Sequence, residues 1–166
     1  IYGKINPSGK LPFTYPRFEN SLLWYDHKHT ETLDQSFGRN AFNPQWEFGF
    51  GMSYTSFEYS NLVVSNDTLS DGKLQISVTV TNTGKVAGRE VVQLYIADRY
   101  ASITPSVKRL RGFEKINLQS GEAHIVTFTI SADDIAFVGR DSKWIAEAGW
   151  FDIFIGDEKN AFYLSK

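Results

Sequence analysis

The chain has 166 residues, a formal net charge of −2 and a pI of about 5.9; hydrophobic residues make up 42%, charged residues 22%, and cysteine is absent. That profile excludes a disordered tail, a collagen-like repeat and a coiled coil. It also excludes disulfides and thiolate metal sites, a spanning helix of ~18 apolar residues, and the basic stripe of a nucleic-acid surface.

The opening Ile1-Tyr2-Gly3-Lys4-Ile5-Asn6-Pro7 lacks the basic start and apolar run of a signal peptide, and the single methionine is Met52. The chain is therefore expected to belong to a longer reading frame. Residues 1–60 hold more than half of the aromatics, together with Pro7, Pro12, Pro16 and Pro44, and show no sustained period. Prolines break helices and strand ladders alike. An extended, turn-rich arm is expected, with aromatics that pack on something else, because ~60 aperiodic residues build no core of their own.

From about Asn61 the texture changes. Leu74, Ile76, Val78 and Val80 alternate with polar residues, which predicts a half-buried strand. Asn82-Thr83-Gly84-Lys85 supplies turn chemistry. In Glu90–Ala97, Val92, Leu94 and Ile96 share one face. Leu110–Leu118 is a further strand, with Gly112 marking a bulge. After a turn at Ser120-Gly121, Val126, Phe128 and Ile130 alternate with Thr127 and Thr129. Ser131-Ala132-Asp133-Asp134 predicts one helical turn, an N-cap followed three residues later by an acid. Lys143–Ala146 and Trp150–Ile155 predict a terminal hairpin around Glu147-Ala148-Gly149, with Phe162–Leu164 adding an edge. Short strands with regular turns imply an all-β fold. The expected architecture is an antiparallel β-sandwich, fibronectin type III/immunoglobulin-like, with a long irregular N-terminal arm. Without a Cys…Trp…Cys pattern it lies nearer fibronectin type III than an antibody domain.

Candidate chemistry is sparse. Asp26-His27-Lys28-His29 is a metal-like cluster, but a third ligand at a plausible spacing is missing, and solvated loop residues are the expected reading. Adjacent acids such as Asp133 and Asp134 point in different directions and do not flank a scissile bond; a helix N-terminus suits them better. No serine sits in Gly-x-Ser-x-Gly, and Gly49-Phe50-Gly51-Met52-Ser53 lacks phosphate-loop spacing. Trp24, Tyr25, Trp46 and Phe48 could stack on sugar rings, which would make the chain a carbohydrate-binding module; anchoring onto a neighbouring domain is the competing reading. A cell-surface adhesion module is a third option, and it would show tandem sandwich copies. No catalytic, metal or cofactor site is assigned from the residues.

Ordered motifs make the reading more specific. Asn6-Pro7-Ser8-Gly9-Lys10-Leu11-Pro12-Phe13-Thr14-Tyr15-Pro16 resembles the NPSGRLPVTFP stretch of family 3 glycoside hydrolases. Phe48-Gly49-Phe50-Gly51-Met52-Ser53-Tyr54-Thr55-Ser56-Phe57 resembles their FGYGLSYTTF. Between the two, Tyr25-Asp26-His27-Lys28 resembles YNHK. Val78–Gly84, with Asn82 and Gly84, is similar to VTVTNTG, Gly88–Tyr95 to the G.EVVQLYV that follows, and Leu110–Lys115 to LKGFKK. The stretch Leu33–Gln45 departs from the family's usual shorter connection.

This resemblance implies the C-terminal region of a β-glucosidase-like retaining enzyme. Residues 1–58 would be the tail of its second domain and a connector, and 59–166 a fibronectin type III-like domain. The role implied is structural, bracing the catalytic domains of the same polypeptide, with room for a homo-oligomer. Carbohydrate would be met only through the parent, in a periplasmic or secreted setting, with no nucleic acid, membrane span or cofactor. The nucleophile and the acid/base of the family have no matching positions here. The motif residues are read as structural: glycines for positive φ or close approach, Pro7 and Pro12 for an extended path, Asn82-Thr83-Gly84 for closing a strand pair.

Overall fold

The computed structural model describes residues 3, 5–21, 23–28, 43–70 and 72–165. Among these the strands are β1 (Phe57–Val64), β2 (Thr68–Leu69), β3 (Leu74–Asn82), β4 (Gly88–Asp98), β5 (Arg109–Leu118), β6 (Ala123–Ile130), β7 (Phe137–Val138), β8 (Trp144–Ile145), β9 (Gly149–Ile155) and β10 (Glu158–Leu164). One short helix, α1, spans Ala132–Ile135.

Two sheets face each other, one ordered β1-β3-β6 and the other β2-β10-β9-β4-β5. All pairings are antiparallel except β2 with β10. The alternation in β3 does what a period of two requires, for Leu74, Ile76, Val78 and Val80 are all buried. They meet Val92, Leu94 and Ile96 of β4 together with Ile153, Ile155 and Phe162 of β9 and β10 in one core. Burying each such side chain contributes about 1.5–3 kcal/mol. The predicted all-β sandwich is the fold observed.

The expected bulge is present. Leu94 pairs with Gly112 and Tyr95 with Leu110, so Arg111 is the extra residue of β5. The helical turn is also present: the Ser131 N–H and hydroxyl both donate to the Asp134 carboxylate at 2.7 Å. These bonds hold the Asp134 pKa below the usual carboxylate value.

The terminal hairpin is elsewhere than predicted. Trp144–Ile145 pairs back onto Phe137–Val138, across a turn in which the Gly139 N–H donates to the Lys143 carbonyl at 2.9 Å. The hairpin is β9–β10, joined by Gly156-Asp157, with Gly156 at φ 58°. A two-residue loop with glycine first suits the right-handed strand twist. Phe162–Leu164 is not an edge either: β10 lies between β9 and β2, and Phe162 is fully buried.

Candidate functional site

The two family-like motifs of the arm lie side by side. The Tyr54 N–H and the Ser53 hydroxyl both donate to Asn6 Oδ1, at 2.8 and 3.0 Å, while Asn6 Nδ2 donates to the Ala87 carbonyl at 3.1 Å. Leu11 N–H donates to Phe50 O and Gly49 N–H to Leu11 O, both at 2.8 Å. Farther out, Tyr15 N–H donates to Trp46 O at 2.8 Å and Gln45 N–H to Tyr15 O at 2.9 Å. The result is an irregular two-stranded ribbon laid along the sandwich.

Two glycines allow the close approaches, Gly49 that of the ribbon to β4 and Gly51 that of its two strands to each other. Gly49 has φ 83°, and a Cβ there would come within 2.8 Å of Tyr95 Oη. A Cβ on Gly51 would collide with the Gly9 carbonyl oxygen. Gly9 itself is open, with nothing near its own Cβ position. Pro7 and Pro12 are exposed and Ser8 is half-buried, in keeping with an extended surface path.

The ribbon is tied to β4 by charge and by aromatic contact. Lys10 Nζ lies 2.8 Å from Glu90 Oε1, and Tyr59 Oη donates to the same oxygen at 3.1 Å. Burial, then the charge of Glu90, pushes the Tyr59 hydroxyl far above the usual phenol value. Tyr25 and Phe48 stack at 4.2 Å between ring centroids, and both present edges to Tyr95 at 6.4 Å. Tyr95 is buried, and desolvation, then Tyr25, pushes its pKa up to about 12.

Asn82 closes the other side of the joint. It is fully buried and every polar atom of its amide is used. Oδ1 accepts from Thr55 Oγ1 at 2.6 Å and from the Gly84 N–H at 3.1 Å; Nδ2 donates to Val86 O at 2.9 Å and Leu118 O at 3.1 Å. A buried amide so satisfied fixes the geometry of the chain around it.

The metal-like cluster is dispersed. Asp26 faces Arg109 at 3.6 Å, His27 Nδ1 donates to the Trp24 carbonyl at 3.1 Å, and Lys28 Nζ donates to Ser106 Oγ at 3.3 Å. His29 and most of Leu33–Gln45 lie outside the described residues. Asp133 and Asp134 sit in the first turn of α1, not across a cleft. The expected stacking platform divides: Tyr25 and Phe48 are spent on Tyr95, while Trp24 and Trp46 are exposed.

A concave site that sequence reasoning missed lies at one end of the sandwich. It encloses about 400 Å³ between the arm, the ends of β4 and β5, and the β7–β8 hairpin. Trp24, Asp26, Asp98, Arg109, Arg111 and Trp144 are among its lining residues. The bulge at Gly112 was the available signal, because bulges re-aim a neighbouring side chain.

Comparison with known proteins gives the same answer as the motifs. Residues 90–159 match the fibronectin type III-like domain family. The chain is 40% identical to a periplasmic β-glucosidase of Salmonella typhimurium, over 94% of this chain and 22% of that protein. It is 36% identical to a putative β-xylosidase of Formosa agariphila, over 100% of this chain and 23% of the relative. It superposes on a β-glucosidase structure from Erythrobacter marinus with a TM-score of 0.90 and 35% identity, covering 99% of this chain and 22% of that one. The chain thus spans between a fifth and a quarter of the length of these relatives. With the ordered motifs and the sandwich in place, these matches identify the chain as C-terminal, fibronectin type III-like region of a family 3 glycoside hydrolase.

Proposed function

We propose that this region is non-catalytic and braces the catalytic domains of a β-glucosidase-like retaining hydrolase. Residues 1–58 serve as tail and connector, and 59–166 as the supporting domain. The observation that carries this reading is how the motif residues are employed. Asn6, Leu11, Gly49, Gly51, Ser53 and Asn82 are spent on ties within the ribbon or between ribbon and sandwich. Such ties hold an arm in place and neither move a proton nor attack a sugar. Retaining hydrolysis needs two carboxyls roughly 5–5.5 Å apart around a glycosidic bond, and these would come from the longer polypeptide.

The arm also turns Phe13, Phe18 and Trp46 outward. Exposed aromatics in one segment suit burial against another domain. The relatives are long enough to supply one. A periplasmic relative supports an exported setting.

The test is direct. Purified chain incubated with an aryl β-glucoside is expected to release no more phenol than a blank. Turnover above the blank that scales with chain concentration would overturn the reading. In the longer polypeptide, Trp46→Ser is expected to lower Tm while leaving the pH profile of hydrolysis unchanged.

A further inference from the structure

The bulge on β5 leaves Arg111 outside the ladder, and its side chain lines the 400 Å³ cavity. Arg111 Nε is buried without a hydrogen-bond partner. Burial, then the neighbouring Arg109, draws its pKa below the usual guanidinium value. A partly desolvated cation is costly, and an anion bound beside it would relieve that cost.

No nearby acid hydrogen-bonds Arg111 Nε. Asp26 faces Arg109 at 3.6 Å, and Asp98 Oδ1 accepts the Tyr100 N–H at 3.0 Å. Asp134 attracts Arg111 electrostatically, and its Oδ2 accepts both bonds from Ser131. Burial raises the Asp98 pKa above the usual carboxylate value. Lys28, Arg109 and Arg111 outnumber Asp26 and Asp98 in the cavity wall, so the wall favours a negative guest.

The rest of the lining specifies the body of that guest. Trp24 of the arm and Trp144 of β8 are 62% and 71% exposed and line the same cavity. Indole faces cover the C–H face of a sugar ring, and Thr104 and Ser106 can bond hydroxyls. The volume falls in the ~300–1,000 Å³ range of small-molecule sites.

We propose that this cavity binds a carboxylate-bearing sugar ring, a hexuronic acid or a glycan ending in one, with Arg111 taking the carboxylate and the two tryptophans the ring. A neutral hexose leaves the Arg111 charge without a partner. A benzoate satisfies Arg111 but wastes the polar lining. The site does not depend on the bracing role, since its residues are distinct from the ribbon's ties.

The experiment is a titration of the full chain with D-glucuronate, D-glucose and benzoate at low ionic strength, followed by tryptophan fluorescence and calorimetry. Glucuronate is expected to saturate, and to bind about tenfold or more tighter than either comparison ligand, the scale of one hydrogen bond to a charged group. Arg111→Met is expected to remove the preference for glucuronate over glucose, and Trp144→Ala to weaken both sugars. Absence of saturation by glucuronate, equal binding of glucose, preferential binding of benzoate, or wild-type binding in both variants would each overturn the proposal. Should Arg111→Met fail to fold by circular dichroism, Trp144→Ala, at an exposed position, decides with Arg111→Lys, which keeps the charge but loses the planar fork.

Discussion

Thr55 Oγ1 donates to Asn82 Oδ1 at 2.6 Å, a hydrogen bond between the residue two before β1 and the last residue of β3. Both side chains are buried, so water cannot replace either partner. Asn82→Leu would strand the Thr55 hydroxyl and the Leu118 carbonyl, each an unpaired buried group costing about 1–3 kcal/mol, and would also release the partly buried Val86 carbonyl. Thr55→Val removes one donor and leaves Oδ1 its Gly84 N–H. Urea denaturation is expected to show a loss of about 3 kcal/mol or more for Asn82→Leu, against about 1 kcal/mol for Thr55→Val. Equal losses would mean that the amide is not the hub.

Gly9 and Gly51 face each other across the ribbon but differ in room. Gly51→Ala drives its methyl into the Gly9 carbonyl, and overpacking of this kind costs about 1–3 kcal/mol. Gly9→Ala meets open space and should stay within about 0.5 kcal/mol of wild type. Thermal melts of the two variants distinguish a packed ribbon from a loose one.

Phe48→Ala removes one face of the Tyr25–Phe48 stack on Tyr95. The ribbon should then open locally while the sandwich persists. Hydrogen exchange is expected to speed up at the Leu11 and Gly49 amides, which bond within the ribbon, and at the Val107 amide, which bonds to His27 of the arm. Exchange at the centre of β3 should be unchanged. Uniform acceleration across both would show one cooperative unit instead.

Some of this was legible in the residues. The β3 alternation, the β5 bulge and the Ser131–Asp134 turn each write a local pattern, because one wet and one dry face, or one cap, is set within a few residues. The ribbon writes none. Its bonds join Leu11 to Phe50 and Tyr15 to Trp46 through backbone atoms that any side chain supplies. The Arg111 cavity was hidden for the same reason: Trp24, Arg111 and Trp144 meet only after the arm and the β7–β8 hairpin have folded over the sandwich end. The hairpin turns at Gly156-Asp157 and not at Glu147-Ala148-Gly149, because a glycine-first pair suits a two-residue turn.

Alkaline stability should depend on two phenols. The Tyr95 pKa is raised from 10.0 to about 12, and that of Tyr59 is raised farther. A raised folded-state pKa gives stability that is complete below the unfolded value and lost as pH climbs toward the folded one. Stability is therefore expected to fall between about pH 10 and 12. Tyr95→Phe should flatten that fall, and absorbance near 295 nm, about where ionised tyrosine absorbs, should show late titration in the wild type. An unaltered alkaline limb in Tyr95→Phe would remove this group as its cause.

Strand β5 is the outer member of the five-stranded sheet and carries Phe113, 68% exposed. An open border with an aromatic on it invites a neighbouring molecule to continue the ladder. The extra residue at Arg111 breaks the regular spacing of free amides along that border, and Arg109, Glu114 and Lys115 line it with charge. The kink that shapes the cavity wall thus also works as a guard against self-templated fibre growth.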